Sequence, residues 1–185
     1  MSPSELRNLT LYLEDVYQLK NITRYNTRNV LKKESVAEHS FYVALFCIKI
    51  CNDYNLSKEV EHDAITKALL HDMPEIELND ITHDVKEKLN LRKFLMLYEN
   101  DYYERHFNKY YAELMLKTDD VADSVVLLAD TWSVLQYVSN EKALGNKSSD
   151  IEEIYDNAIA RINDLRSKLE KKIEECNDEQ NQQRI

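Results

Sequence analysis

The sequence predicts an all-α domain, and three features of its composition carry that expectation. There is one glycine, Gly145, in 185 residues, where average usage would give roughly a dozen. Hairpin turns with positive φ draw on Asn-Gly or Asp-Gly pairs, and the chain holds neither. Two prolines and 31% charged residues leave long stretches free of helix breakers. The glycine shortage also excludes Walker and dinucleotide loops, which need several glycines for the backbone to approach a phosphate closely. With 43% hydrophobic residues over this length, one domain with a true core is expected over residues 1–185, ending in a polar tail at 176–185.

Each element has a local reason. A first helix is expected over 4–19, with Glu5 in its first turn. An irregular basic loop over 21–33 then carries Arg24, Arg28, Lys32 and Lys33. Ser35-Val36-Ala37-Glu38 is a capping box ahead of an apolar run, so a helix begins at Ser35 and continues to about residue 54. Ser57 caps the next helix, which ends near His71-Asp72, with Pro74 just beyond. A polar connector at 79–84 leads to a short helix around 85–91. A tyrosine-rich helix follows over 94–116, its tyrosines serving a core or a subunit surface. The acidic run at 119–123 starts a helix reaching 141. The last helix, 151–175, repeats Ile151, Ile154, Tyr155, Ala158, Ile162, Leu165 and Leu169 at spacings of three and four, the amphipathic pattern. The sum is a bundle of six or seven helices.

The formal charge of −10 excludes a nucleic-acid polymer as partner, which needs a basic face. It leaves room for a small anion gripped by a few local cations. Cys47, Cys51 and Cys176 form an odd, sparse set, the first two four apart on one helical face; reduced thiols of an intracellular protein are expected. The opening residues show no basic segment followed by an apolar run, so no signal peptide is expected. The apolar stretch at 41–50 is far too short to span a membrane. A cytoplasmic protein without membrane contact is the expectation.

Three places supply metal-ligand side chains. His39 follows the capping box. His71 and Asp72 are neighbours at a helix end, diverging by about 100°. Asp130 ends an apolar helical stretch, where an unpaired carboxylate is costly to bury. Spacing alone leaves each open to a plainer role: a cap, an imidazole favoured by a helix C-terminus, a carboxylate paired with lysine. His62, His83 and His106 read as ordinary histidines.

The order His39, His71-Asp72, Asp130 resembles the H…HD…D signature of HD-domain metal-dependent phosphohydrolases. The segments Arg24-Tyr25-Asn26-Thr27-Arg28-Asn29-Val30, Ser35-Val36-Ala37-Glu38-His39-Ser40 and His71-Asp72-Met73-Pro74-Glu75 resemble the YfbR-type 5′-deoxynucleotidases of that superfamily, over about residues 24–137. The resemblance implies an HD-domain helical bundle and removal of the 5′-phosphate of deoxyribonucleoside monophosphates by metal-bound water. His39, His71, Asp72 and Asp130 would hold one divalent ion, from among Co²⁺, Mn²⁺, Zn²⁺, Fe²⁺ and Mg²⁺. Glu75 and Asp80 would be catalytic, Glu75 on the attacking water and Asp80 on that water or the leaving oxygen. Arg24 and Lys86 would bind phosphate, and Tyr25 would lie beside the deoxyribose. A homodimer or higher homo-oligomer is implied as well.

Two departures stand out. Leu127 occupies a position where relatives often carry lysine, which favours a monophosphate over a triphosphate. Tyr25 replaces the more usual tryptophan. Two other readings stay open: a triphosphohydrolase acting on dATP-like nucleotides, as in small phage HD proteins, and a non-catalytic nucleotide-binding protein.

Overall fold

A computed structural model describes residues 3–182, which hold nine helices and no strand. They are α1 (Pro3–Gln18), α2 (Val36–Asp53), α3 (Lys58–Leu70), α4 (Glu75–Leu78), α5 (His83–Lys88), α6 (Arg92–His106), α7 (Lys109–Leu116), α8 (Val121–Ala143) and α9 (Ser149–Gln182). The all-α expectation is met. α2 begins as its capping box requires: Glu38 N–H donates to Ser35 Oγ, and the Glu38 carboxylate accepts from Ser35 N–H at 2.8 Å. Ser57 caps α3 by accepting from Val60 N–H, and Asp120 caps α8 by accepting from Asp123 N–H.

The helix count exceeds the expected six or seven for local reasons. The segment read as one helix over 94–116 breaks at Phe107, whose backbone is extended. Asn108 then accepts from Tyr111 N–H and restarts the chain as α7. α4 is a single four-residue turn after Pro74. α9 carries the polar tail onward as helix to Gln182; the tail's residues 183–185, and the His83 side chain, lie outside the described residues.

α2, α3, α8 and α9 enclose the main core. Ala44, Ala64, Ala68 and Ala129 let the helices approach closely, and Val43, Cys47, Val125, Ile162 and Leu169 fill the remaining space. Burial pushes the Cys51 thiol up to about 11 and Cys47 higher still, so both are unreactive thiols. A second cluster, built on Leu19, Ile22, Val36, Met73, Tyr102 and Tyr103, closes the end of the bundle where α3 stops. There Tyr103 Oη lies 2.9 Å from Leu70 O and 3.0 Å from His71 O. Leu70 O also accepts from Met73 N–H, so the single Tyr103 proton is shared between two carbonyls at the end of α3. Among the described residues no helix is long and apolar enough to cross a membrane.

The basic loop between α1 and α2 is pinned at both ends. An isolated antiparallel bridge pairs Thr23 with Ser35, with Arg24 N–H donating to Glu34 O at 2.9 Å and Val36 N–H to Ile22 O at 3.0 Å. At the far side Glu141, only 1% exposed, accepts from the N–H groups of Leu31 and Lys32 at 2.7 Å each. Asn146 bridges Glu141 and Asn29 O, and Tyr137 Oη donates to Lys32 O.

Candidate active site

The site forms where α2 begins, α3 ends and the middle of α8 passes between them. His39 is fully buried. Its Nδ1 lies 3.1 Å from Ser133 Oγ, so Nε2 points the other way, 3.1 Å from Asp130 Oδ1 and 3.7 Å from Asp72 Oδ2. Nε2 nevertheless has no hydrogen-bond partner: the contact with Asp130 is close but misaligned. His71, capping the C-terminal end of α3, places Nδ1 2.8 Å from Ala68 O and Nε2 3.2 Å from Asp72 Oδ2.

Among the described residues, His39, His71 and Asp72 bring one ligand atom each within 4.8 Å of the others. Asp130 joins them through its contact with His39. The fit to a divalent ion rests on the two imidazoles. His71 Nδ1 faces the Ala68 carbonyl, which can only accept, so the neutral ring turns its Nε2 lone pair inward, as metal-ligating histidines are normally held. His39 Nδ1 meets the Ser133 hydroxyl, which can donate or accept and leaves Nε2 facing the cluster. A buried Nε2 without a hydrogen bond is otherwise costly. The mixed nitrogen and carboxylate set suits a borderline divalent cation.

Electrostatics follow from crowding. Burial alone would raise Asp72, yet His71, Arg24 and His39 around it hold its carboxyl far below the usual range. His71 is lifted to about 9 against the pull of burial, chiefly by Asp72. His39 moves down, through burial and the charge of Arg24, and is neutral. Burial, with Asp72 and Asp80 nearby, raises Glu75, whose Oε2 is buried without a hydrogen bond.

Arg24 reaches the cluster from the loop, its Nη1 donating to Asp72 Oδ2 at 3.1 Å. Tyr25 follows with φ of 56°, a left-handed conformation that tyrosine adopts at a cost of order 1 kcal/mol. That turn aims Tyr25 N–H at Asp80 Oδ2, 3.1 Å away. The Tyr25 ring stacks on Tyr137 with centroids 4.7 Å apart and planes within 2°, so one of its faces is already covered. A small cleft of about 30 Å³ is lined by His71, Asp72, Glu75, Asn79, Lys86 and Glu99, among others. Lys86 therefore faces the site from α5.

Every residue expected at the site thus converges on one region. Sequence reasoning missed Glu34, Glu99, Tyr103, Ser133, Tyr137 and Glu141. Ser133, Tyr137 and Glu141 lie three, seven and eleven residues beyond Asp130 on α8, on one helical stripe, and that spacing is the signal that could have found them. Glu34 lines a second pocket of about 200 Å³ beside Ser133 and Tyr137, with Lys32, Lys33 and Tyr42.

The model of a family described as 5′-deoxynucleotidase YfbR-like matches residues 11–174. No curated protein matches. Among solved structures, an HD-domain phosphohydrolase from Listeria innocua is 22% identical, covering 87% of this chain and 82% of its own, with a TM-score of 0.72. A protein from Pyrococcus horikoshii OT3 is 24% identical, with coverages of 89% and 93% and a TM-score of 0.71. The cyanophage S-2L HD phosphohydrolase DatZ, bound to dA and one catalytic Zn²⁺ ion, is 16% identical, with coverages of 88% and 96% and a TM-score of 0.69. At these identities the structures establish a shared fold.

Proposed function

We infer the reaction from the family: the chain belongs to the YfbR-like 5′-deoxynucleotidases, and it is a metal-dependent phosphohydrolase that removes the 5′-phosphate of deoxyribonucleoside monophosphates. The observation that carries this reading is the inward-facing His39, His71 and Asp72 cluster with Arg24 donating into it.

His39, His71, Asp72 and Asp130 hold one divalent cation. When bound, such an ion acidifies water and offsets charge on phosphoryl oxygens. The DatZ structure, with its catalytic Zn²⁺ and dA, supports Zn²⁺ as a candidate and a deoxynucleoside as the bound class; Co²⁺, Mn²⁺, Fe²⁺ and Mg²⁺ remain to be compared.

The chain's own groups do the rest. Arg24 forks donors onto two phosphate oxygens, and Lys86 adds a point charge from α5. Glu75, whose Oε2 is buried without a hydrogen bond beside the cluster, takes the proton of the attacking water in its ionised form. The new P–O bond forms as the P–O5′ bond breaks, and the 5′ oxygen leaves as the nucleoside hydroxyl, the proton taken up by Glu75 balancing the one it gains. Asp80, held by Tyr25 N–H, positions the water or that leaving oxygen. Tyr25, backed by Tyr137, lies beside the deoxyribose. With Leu127 in place of a third cation, the grip suits a monophosphate. One domain over 1–185, a cytoplasmic location and a homodimer or higher homo-oligomer complete the reading. The exposed Phe41, Tyr42, Leu45 and Ile48 on α2 supply an apolar face for self-association.

The test is chromatographic product analysis after loading metal-free protein with Zn²⁺, Co²⁺, Mn²⁺ or Mg²⁺ and adding deoxyribonucleoside mono- and triphosphates. Nucleoside and orthophosphate from monophosphates are expected. Intact triphosphate released from triphosphates would replace this reading by the triphosphohydrolase one, and no product with any metal would leave a binding protein.

A further inference from the structure

We propose that Glu34 is a positioning residue: it holds the Nε edge of Arg24, so that the opposite edge of the guanidinium is presented to the substrate phosphate. The inference rests on the reading of Arg24 as a phosphate ligand.

The backbone arranges the pair. The isolated bridge between Thr23 and Ser35 sets Arg24 and Glu34 on facing segments of the loop, and Arg24 N–H donates to Glu34 O at 2.9 Å. Their side chains are 15% and 12% exposed, with Arg24 Nε 3.7 Å from Glu34 Oε2. That separation is within ion-pair reach and too long for a hydrogen bond. Accordingly Arg24 Nε is buried without a hydrogen-bond partner.

The other end of the same cation is 3.1 Å from Asp72 Oδ2. A guanidinium carries five donors in a rigid fork, so its position is set by whichever carboxylates flank it. Without Glu34 the carboxylates left around the cation, Asp72 with Asp130 and Glu75 beyond it, all lie on the metal side, and the fork would settle toward them instead of pointing at a phosphate. A carboxylate is also a poor choice here for stability alone. Burial pushes Glu34 up to about 7 even with Arg24 beside it, so its ionised form is costly to keep at this position. A neutral isostere would serve packing equally well.

Glu34→Gln, Glu34→Asp, Arg24→Ala and Arg24→Ala/Glu34→Gln are compared with the wild type. Steady-state hydrolysis of dAMP, titration calorimetry with inorganic phosphate, and thermal denaturation are measured on each. Glu34→Gln is expected to raise KM about tenfold and weaken phosphate binding by a similar factor, the size of one weakened charge-assisted hydrogen bond. Its kcat changes less, its melting temperature does not fall, and Glu34→Asp recovers part of the KM. In the Arg24→Ala background Glu34→Gln adds nothing.

Unchanged KM and phosphate affinity in Glu34→Gln would overturn the proposal. So would an effect of equal size with Arg24 already removed, or lower melting temperature and kcat at constant KM. The two readings fail separately. If the wild type releases no orthophosphate from dAMP, the nucleotidase reading fails, and the phosphate titration still decides the role of Glu34. Equal phosphate affinities in wild type and Glu34→Gln, or no binding by either, count against it.

Discussion

Glu141→Ala removes the anchor that ties the basic loop to α8. The wild-type carboxylate accepts from Leu31 N–H and Lys32 N–H at 2.7 Å each and from Asn146 Nδ2 at 2.8 Å, while being only 1% exposed. Hydrogen bonds to a charged group contribute roughly 1.5–3 kcal/mol apiece. Both loop residues are exposed, so their N–H groups can rehydrate, and the net loss falls below the sum, at about 3 kcal/mol. In a protein of this size 1 kcal/mol moves the melting temperature by about 2–4 °C, which puts the expected drop at roughly 6–12 °C.

The pH dependence has a definite sign. Burial would raise Glu141, but the Leu31, Asn146 and Lys32 donors outweigh it and hold the group below its ordinary value of 4.5. A depressed acid stabilises the fold above the unfolded pKa and loses that contribution as pH falls through the folded one. The difference between wild type and variant should therefore be full at neutral pH and shrink on acidification below the ordinary glutamate value. Urea and thermal denaturation across that range measure it. A melting temperature within about 2 °C of wild type at neutral pH, or a gap that persists unchanged in acid, would refute the reasoning. Metal affinity should survive, since no ligand lies on the loop.

Three further outcomes are expected at the metal centre. Ser133→Ala frees His39 Nδ1 and should weaken metal affinity by about 10–100-fold, read by competition with a chelating dye; unaltered affinity would show that packing alone orients the ring. His71 sits at about 9 in the metal-free site, so metal binding near neutral pH should release close to one proton, and affinity should fall as the solution is acidified. Calorimetry in two buffers of different ionisation enthalpy counts that proton, and a count of zero contradicts the assignment. Asp72→Ala should abolish metal uptake by elemental analysis, whereas Glu75→Gln should keep the metal and lose about 10²–10⁴ in kcat; full activity in the latter would remove Glu75 as the base.

Much of this arrangement was legible in the sequence because it depends on short-range chemistry. The capping box at Ser35 fixes where α2 begins, and hence that His39 lies in its first turn. Ser57 and Pro74 bracket α3 and place His71-Asp72 at its end. What escaped depends on distance along the chain. Ser133 acquires meaning only when α8 packs beside a residue 94 positions earlier. Glu34 stands among lysines in a loop and reads as solvated until the bridge to Thr23 folds it against Arg24. Glu99 sits unmarked in the middle of α6. Tyr25 was read for the sugar, and its stacking on Tyr137 could not be foreseen from either residue's neighbours. The break between α6 and α7 was within reach, since Asn108 is a good cap, but Tyr110, Tyr111 and Leu114 continue the apolar pattern across it.

The stripe on α8 has a thermodynamic consequence. Asp130 touches His39 Nε2, Ser133 touches its Nδ1, Tyr137 backs Tyr25 and Glu141 anchors the loop, all from one rigid rod. Whatever fixes the azimuth of that rod at one end restricts it at the other. On the proposed roles, metal uptake and phosphate capture would be linked through that rod, and linkage requires any such effect to be mutual: to whatever degree metal tightens phosphate, phosphate must tighten metal by the same factor. A single-residue insertion between Asp130 and Ser133 would turn the two halves of the stripe about 100° out of phase, and would turn Tyr137, Val138 and Glu141 out of the core with it: the rod that aligns the site is the same rod that packs the bundle.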